Sequence, residues 1–479
     1  MTINQFCLMI PERLFAAVRL LVVSTLLCNF VYGVPKPNFV FILADDQGWN
    51  SLSIRAHPDI PGSGSQYYRT PNLEQMARDG MRFSQAYSPA PTCSPTRYAI
   101  QFGRSPSSLR IWEADNLGKD IDAQPSEAIA HRIKAADSDY VCAHMGKWHV
   151  AWEPTELGFD VDEYGDGHEP NAPRGKDRNN PDSTDPNDPR FIFSLTRKAN
   201  AFMEEQVQNG NPFYLQILHY ADHLAYQALP ETIEKYKTLY ARDATPYQND
   251  PLWAAMNENL DTGVGMVLDK IDELGIRENT YVIYTADNGY EDKDDFFKPV
   301  DERGYYKAYP QRSHKYHVSE GGIRVPFIVR GPGIPANVHS GAPVIGTDLL
   351  PTLLDIMGGV SQIPPKVEGG SLLAHWQSGG RAAINRKNPF LAFKYTKPNN
   401  RHDLALIQRQ TKLIKDADSG KILLYDLKKD IGESRNLAKT QPELANRLYQ
   451  QLTAYFKRFG WDENQIPELA RRPSPRSQP

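Results

Sequence analysis

Two continuous apolar runs dominate the hydrophobic pattern of this 479-residue chain, and polar residues follow each of them. The runs span 38–44 and 280–286. Apolar residues without polar alternation are typical of strands buried on both faces of a parallel sheet. Ligands bind at the C-terminal edge of such sheets, so the polar residues that follow are candidates for a site. They are Asp45, Asp46, Asp287 and Asn288.

Helical periodicity alternates with these predicted strands. The segment 70–80 has Thr70 as its predicted N-cap, Pro71 in the first turn and Gly80 as the stop. A longer amphipathic pattern spans 253–274. This alternation predicts an α/β fold with a large, mostly parallel sheet flanked by helices.

The C-terminal part has a different pattern. Beyond Gly358 the chain shows short strand-like runs and then a closing helix over 441–459, which predict a smaller subdomain of antiparallel sheet plus helix. We place the catalytic domain at 34–375, this C-terminal subdomain at 376–470, and a flexible polar tail at 471–479. The strand-like runs lie at 391–393, 404–408, 412–415 and 423–427.

The N-terminal segment has the pattern of a secretory signal. Two arginines precede an apolar core at 20–27, and small or β-branched residues near Gly33 indicate a cleavage point. The core is much shorter than the ~20 residues of a membrane span. The sequence therefore predicts a signal peptide over 1–33, export to the periplasm or the exterior, and no stable membrane span. A lipoprotein signal at Cys28 is disfavoured, because Leu27 stands where a small residue is required.

Cysteine usage and net charge narrow the class of protein further. Two of the four cysteines fall within the predicted signal, so the exported chain keeps Cys93 and Cys142 and forms at most one disulfide. A disulfide scaffold is excluded, and Cys142 is expected to be a small buried residue. The formal net charge of −4 gives no general attraction to nucleic acid, so an anionic substrate must be bound by local positive charge.

Two segments, 165–190 and 291–314, lack clear periodicity and read as long loops. Such loops in compact domains are usually functional or disordered. Because the second one follows the turn at Asp287, we expect it to shape substrate access; a solvated surface loop is the alternative.

The most specific motif is the pentapeptide Cys93-Ser94-Pro95-Thr96-Arg97. A Cys-X-Pro-X-Arg pentapeptide is characteristic of the formylglycine-dependent sulfatases of the alkaline phosphatase superfamily, and the chain resembles that family. In the family, a formylglycine-generating enzyme oxidises the cysteine to formylglycine (3-oxoalanine), whose hydrated aldehyde is the nucleophile. The resemblance implies that Cys93 is such a modified, catalytic residue.

Further motifs extend the resemblance over nearly the whole exported chain. They are the strand and acidic turn at 36–49, the Gly-Lys-Trp-His block at 146–149, the Tyr-Ala-Asp-His segment at 220–223, the segment 315–326 and the ending at 423–437. In the third motif, Asp222 stands where the family frequently has proline.

The resemblance implies a metal site. Oxygen ligands suit a hard cation, so one Ca²⁺ per chain is expected, with Mg²⁺ as the less favoured alternative. The planar guanidinium of Arg97 would hold the formylglycine hydrate and the ligating oxygens in place. The implied metal ligands are Asp45, Asp46, Cys93, Asp287 and Asn288.

The resemblance also assigns roles in cleavage of a sulfate ester. Lys147, His223 and Lys315 would bind the sulfate, and His223 would protonate the leaving alcohol. One hydroxyl of the hydrate would attack sulfur, and His149 would help the second hydroxyl to expel sulfate.

Some residues depart from the family pattern or have no place in it. Gln101-Phe102 stands where the family often has Leu-Thr, in the stretch after the pentapeptide that the resemblance assigns to recognition by the maturation enzyme. His219 has no counterpart and is expected to be structural. Arg324 is expected to form an internal ion pair.

The expected function is hydrolysis of a sulfate ester on a small molecule or glycan, with an extracellular sulfated carbohydrate as the expected substrate class. One alternative is a phosphomonoester or phosphodiester hydrolase of the same superfamily, because phosphate and sulfate share their shape. Another is an exported glycan-binding protein that has lost its chemistry, although every implied metal and catalytic position carries a competent residue.

Overall fold

The computed structural model describes residues 36–111, 121–164, 183–291, 307–396 and 402–461. The predicted signal peptide, the predicted tail and large parts of the two predicted loops lie outside these ranges. Within them, no helix combines the length and the apolar character that a membrane crossing requires.

The structure forms strands and helices in alternation through most of the chain. The strands are β1 Asn38–Ala44, β2 Met81–Phe83, β3 Ala86–Tyr87, β4 Val141–Gly146, β5 Val161–Glu163, β6 Phe213–Leu218, β7 Thr280–Ala286, β8 Phe327–Arg330, β9 Val338–Ser340, β10 Val344–Ile345, β11 Leu391–Thr396, β12 His402–Gln408, β13 Thr411–Lys415 and β14 Ile422–Asp426. The helices are α1 Pro71–Asp79, α2 Cys93–Phe102, α3 Ile129–Ala136, α4 Ile192–Asn209, α5 Pro230–Asp243, α6 Pro251–Glu273, α7 Glu320–Ile323, α8 Leu349–Ile356, α9 Leu373–Gln377 and α10 Pro442–Lys457.

The larger sheet has eight strands in the order β5-β4-β6-β1-β7-β8-β2-β9. The central strand β1 pairs in parallel with β6 and β7, whereas β8 is antiparallel to both β7 and β2. The predicted α/β fold with a mostly parallel sheet is therefore confirmed. The predicted domain limits at 375/376 and 470/471 stay predictions.

Burial on both faces explains the continuous apolar run of β1. Phe39, Phe41 and Leu43 join a hydrophobic cluster that includes α2, α3 and α8, and Val40 and Ile42 join a second cluster with α1, α4 and α6. Since neither face of this strand meets water, polar alternation is absent from its sequence.

Helix α1 begins after the predicted N-cap residue, but the side chain of another residue binds its first turn. Thr70 precedes the helix, but its Oγ1 accepts a hydrogen bond from the backbone N–H of Ser53 at 2.8 Å and not from the helix. The Asp261 carboxylate, on α6, accepts instead from the N–H groups of Asn72 and Leu73 at 3.0 and 2.8 Å. Thr70 therefore occupies the predicted N-cap position, but a side chain distant in sequence satisfies the free donors of the first turn.

The C-terminal sheet is antiparallel, with the order β11-β12-β13-β14, as predicted for this part of the sequence. One face of β12 packs on α10 through Leu404 and Leu406, and the other packs through Ala405 and Ile407 on a cluster that includes Ile323 of α7. The sheet is thus buried between its own helix and the larger domain.

Four charged residues are enclosed where this sheet meets α7. The Lys412 ammonium lies 2.8 Å from carboxylate oxygens of both Glu320 and Glu433. Arg324 lies 3.0 Å from Glu320, which confirms its expected internal ion pair. Two buried cations and two buried carboxylates therefore neutralise one another between β13 and α7.

The substitution Lys412→Met is expected to lower the free energy of unfolding by about 3–5 kcal/mol, because it leaves buried carboxylate charge without its partner. Chemical denaturation measures this loss. The matched control is Lys429→Met, whose side chain is 82% exposed beside Asp426, and it should change stability by less than about 0.5 kcal/mol. Equal effects of the two substitutions would contradict the assigned role of the cluster.

Candidate active site at the C-terminal edge of the sheet

The floor of the site is built by the ends of the two apolar strands. Ala44 of β1 lies opposite Ala286 of β7, so the residues that follow the strands are neighbours. The N–H of Asp287 donates to Ala44 O at 3.1 Å, and the N–H of Asp46 donates to Asp287 Oδ1 at 3.1 Å. Parallel pairing thus brings together carboxylates that are distant in the sequence.

Cys93 is the first residue of α2, and its side chain reaches this floor. Sγ lies 3.3 Å from Asp45 Oδ1 and 3.7 Å from Asp46 Oδ1, and the residue is buried. Burial, together with the charges of Asp287 and Asp45, raises the pKa of the Cys93 thiol well above its usual value. An unmodified Cys93 is therefore held as a thiol and is a poor nucleophile.

Arg97 lies one helical turn beyond Cys93 and ties α2 to both sides of the site. Its Nε and Nη2 donate to Asp287 Oδ2 at 3.0 and 2.8 Å, and its Nη1 donates to the Lys147 carbonyl. Arg97, the residue predicted to hold the site in place, is thus a buried guanidinium with two N–H groups that donate to the same carboxylate oxygen.

Lys147 and His149 follow the end of β4. Lys147 Nζ donates to Asp45 Oδ2 and lies 3.8 Å from Cys93 Sγ. Burial lowers the pKa of His149 well below its usual value, and the cations Lys147 and Arg97 lower it further. His149 is therefore neutral at physiological pH and has a nitrogen that can accept a proton.

Lys315 and His223 close the other side of the site. Lys315 Nζ lies 2.9 Å from Asp46 Oδ2, and His223 Nε2 lies 3.7 Å from the same oxygen. The Nδ1 of His223 is 2.6 Å from the carbonyl of Leu224, which can only accept, so Nδ1 carries a proton and Nε2 faces the site. Burial and then Lys147 lower the pKa of His223 to about 4, although Asp46 and Asp45 oppose the shift.

The three carboxyl groups of the floor have pKa values that are shifted in different directions. Burial opposes ionisation of Asp45, but Lys147, His223 and Arg97 hold its pKa well below the usual value. Burial raises the pKa of Asp46 against the opposing charge of Lys315. Burial, followed by the charge of Asp45, raises the pKa of Asp287 to about 7.

The geometry of these groups fits a hard cation. Ligand atoms of Asp45, Asp46, Cys93 and Asp287 all lie within 4.8 Å of one another. Asn288 donates through Nδ2 to Asp46 Oδ1 at 2.6 Å, while its buried Oδ1 has no hydrogen-bond partner among the described residues. Clustered carboxylates and an orphaned amide oxygen are the donor set that Ca²⁺ or Mg²⁺ prefers.

The structure therefore brings nearly every residue predicted for the site into one connected cluster, while their roles stay predictions. Direct contacts join Asp45, Asp46, Cys93, Arg97, Lys147, His223, Asp287, Asn288 and Lys315. His149 belongs to the same electrostatic environment.

Two acidic residues of the site were missed by the sequence reasoning. Glu291 lies 3.1 Å from Lys315 Nζ and 3.5 Å from His223 Nε2, with its side chain 22% exposed. Its signal in the sequence was its place two residues after Gly289, in the turn that follows β7. Asp222 is buried, and its side chain accepts from Gln47 Nε2 at 3.3 Å, so it supports the turn that carries His223.

Neither cysteine of the described chain forms a disulfide. Cys142 is a free thiol, fully buried on β4, as expected for a small core residue. Cys93 is also free, and its conversion to formylglycine stays a prediction.

The family model described as Sulfatase matches residues 37–360, and the model described as N-sulphoglucosamine sulphohydrolase, C-terminal, matches residues 310–458. The chain belongs to the sulfatase family.

Individual relatives are distant but cover much of the chain. Arylsulfatase G of Rattus norvegicus is 28% identical over 478 residues, which span 87% of this chain and 85% of that protein. An ulvan-active sulfatase of Formosa agariphila is 27% identical over 366 residues, 70% of this chain and 64% of that protein. The crystal structure of Ps i-CgsB in complex with k-i-k-neocarrahexaose shares the fold, with a TM-score of 0.70 at 21% identity over 90% of this chain and 94% of that chain.

His219 lies four residues before His223 and is not among the residues predicted for the site. It follows β6, donates its N–H to Leu43 O at 3.0 Å and is fully buried. Neither ring nitrogen has a hydrogen-bond partner among the described residues, and burial lowers its pKa to about 4. These contacts agree with the structural role expected for it.

The substitution His219→Met is expected to reduce the acid sensitivity of folding. Because the pKa of His219 is lowered to about 4 in the folded chain, the folded state binds fewer protons than the unfolded state as pH falls from about 6.5 to 4. Wild-type stability should therefore fall by about 3 kcal/mol more than that of the variant over this range. Denaturation at several pH values measures the difference. His219→Gln, which does not titrate, must show the same reduced slope, and parallel profiles for all three proteins would contradict the argument.

Proposed function

We propose that this protein hydrolyses a sulfate ester through a formylglycine nucleophile derived from Cys93. The observation that carries the proposal is the position of Cys93, whose Sγ is 3.3 Å from Asp45 Oδ1 and 3.8 Å from Lys147 Nζ. A thiol with a raised pKa is unsuited to attack, whereas a hydrated aldehyde there presents two hydroxyl groups to the same partners. The formylglycine-generating enzyme is the partner that this conversion requires.

In the first step, one hydroxyl of the hydrate gives its proton to the carboxylate of Asp45, which lies 3.3 Å from Sγ of the unmodified residue. The hydroxyl oxygen attacks sulfur, and the ester S–O bond to the alcohol breaks. The ammonium groups of Lys147 and Lys315 stabilise charge on the sulfuryl oxygens. The leaving oxygen takes a proton from Nε2 of His223. That nitrogen is unprotonated in the free site, and the anionic ester beside it favours its protonation.

In the second step, the remaining hydroxyl gives its proton to His149 and the bond between the hydrate carbon and the sulfate oxygen breaks. Sulfate leaves and the aldehyde is restored, after which water adds to it to form the hydrate again. The lowered pKa of His149 keeps it neutral and able to accept this proton.

The site would hold one divalent cation, with Ca²⁺ favoured over Mg²⁺. Asp45, Asp46, Asp287, Asn288 and the oxygen that replaces the Cys93 thiol would be its ligands, and the ion would supply positive charge beside the sulfuryl oxygens. The clustered ligand atoms and the orphaned Asn288 Oδ1 support this set.

Calorimetry should show that the protein binds one Ca²⁺ per chain. Asp287→Asn is expected to weaken binding by about tenfold or more, because it removes charge from a ligand that Arg97 also positions. Asp160→Asn, at a carboxylate whose side chain is 40% exposed beside Lys134, is the control and should leave the affinity unchanged. A stoichiometry of zero for the wild-type protein would reject the ion.

The proposed substrate is a sulfated carbohydrate outside the cytoplasm. The relative named as an ulvan-active sulfatase and the structural neighbour crystallised in complex with neocarrahexaose support a glycan, and the predicted signal over 1–33 supports export. Sulfate release from a panel of sulfated oligosaccharides tests the substrate class. N-terminal sequencing of the exported protein, with cleavage expected near Gly33, tests the signal.

Paired assays on an aryl sulfate and an aryl phosphate test the activity. Protein made together with the maturation enzyme should hydrolyse the aryl sulfate faster than the aryl phosphate. Its peptide that contains Cys93 should have the mass of the aldehyde. Cys93→Ala should lower kcat by about 10³-fold or more, because no other group in the site can replace the nucleophile. Cys142→Ala removes the other free, buried cysteine and should keep kcat within about twofold.

The same assays separate the alternatives. Faster hydrolysis of the phosphate would favour a phosphoester hydrolase. A converted protein that cleaves neither ester would reject the enzyme proposal and leave a glycan-binding protein.

A further inference from the structure

Three polar side chains form a hydrogen-bond chain through the apolar core beneath the site. Gln101 lies on α2, Gln216 on β6 and His144 on β4, and all three are buried. Their surroundings are apolar, since the rings of Trp148 and Phe159 lie 4.6 and 6.1 Å from that of His144. Polar groups in such a position must bond to one another.

The hydrogen bonds run in one direction along this chain. Gln101 Nε2 donates to Gln216 Oε1 at 3.1 Å, and Gln216 Nε2 lies 2.9 Å from His144 Nδ1. His144 Nε2 lies 3.1 Å from the carbonyl of Gly146, which can only accept, so Nε2 carries the proton and Nδ1 accepts from Gln216. Tyr214 adds a side branch, with its hydroxyl donating to Gln216 Oε1 at 3.2 Å.

The chain ends at the turn that carries two predicted catalytic residues. His144 donates to the carbonyl of Gly146, and Arg97 donates to the next carbonyl, that of Lys147. Gly146 has a φ of +96°, and a Cβ there would lie 2.2 Å from Leu218 O, so the backbone at this turn has little freedom. Helix α2 is thus tied to two successive carbonyls, through Arg97 and through Gln101.

Folding stability alone does not account for these residues. The Oε1 of Gln101 is buried without a partner among the described residues, which is unfavourable relative to an apolar side chain. A buried polar network instead fixes the relative position of the elements that it joins, since any displacement breaks its bonds.

We propose that Gln101, Gln216 and His144 are positioning residues that fix the turn carrying Lys147 and His149 relative to the nucleophile helix. The inference rests on the function proposed above and adds residues to the same site. It also gives a role to Gln101, at the position where the chain departs from the family's usual leucine.

Single substitutions test the role of each link. Gln101→Leu and His144→Met should each lower kcat on an aryl sulfate by about tenfold, because displacement of reacting groups by a fraction of an ångström slows the chemical step. Tyr214→Phe is the matched control. It removes a buried hydrogen bond to Gln216 but leaves the path from Gln101 to Gly146 intact, so kcat should stay within about twofold. Wild-type kcat in both single variants would overturn the proposal.

A combined variant separates positioning from stability. Gln101→Leu, Tyr214→Phe, Gln216→Leu and His144→Met together remove the hydrogen-bonding side chains of the network and of its Tyr214 branch, so that only the Gly146 carbonyl loses a partner. The thermal midpoint should therefore return from that of the single variants towards the wild-type value. If the chain positions the turn, kcat stays about tenfold low, close to that of either single variant. Recovery of wild-type kcat together with recovered stability would show a merely structural role and overturn the proposal. This comparison can be made even if one of the single variants fails to fold.

A spectroscopic measurement keeps the inference independent of sulfatase activity. In ¹⁵N-histidine-labelled protein, the ring signals of His149 should shift in Gln101→Leu and remain in place in Tyr214→Phe. If the wild-type protein cleaves no ester, the proposed function fails while this comparison still decides the positioning role. Unchanged His149 signals in Gln101→Leu would overturn it.

Discussion

The site depends most on the interactions of the buried Arg97 guanidinium. A cation that is 1% exposed must be neutralised and hydrogen-bonded, and Arg97 meets both requirements by binding Asp287 and the Lys147 carbonyl. These partners lie at the ends of β7 and β4, while Arg97 lies on α2. One side chain therefore sets the distance between the acidic floor, the helix that carries Cys93 and the turn after β4.

The C-terminal sheet contributes to the site by supporting it. Lys412 of β13 binds Glu320 of α7, and the segment that precedes α7 carries Lys315. The N–H of Tyr316 donates to the carbonyl of Pro91 at 2.8 Å, two residues before Cys93. The charge cluster buried between the C-terminal sheet and α7 thus restrains the segment before α7, which carries Lys315, a predicted sulfate-binding residue.

The charged residues of the site and the neutral polar residues beneath it are stabilised in different ways. At the sheet edge, carboxylates and cations are gathered so closely that burial raises the pKa of Asp46 and Asp287, an arrangement that an added cation would relieve. Beneath it, Gln101, Gln216 and His144 are held by neutral hydrogen bonds in an apolar environment. The first set is suited to binding charge, and the second to fixing geometry.

The sequence by itself determined the strands whose two faces are buried and the polar residues at their ends, because burial dictates a local pattern and the pentapeptide around Cys93 is contiguous. Tertiary structure decided what depends on residues that are distant in the chain. The carboxylate of Asp261 binds the first turn of α1, Glu291 contacts His223, and Gln101 donates to Gln216. Such contacts leave no periodic signal, since their partners are chosen by strand order and helix packing and not by neighbours in the sequence.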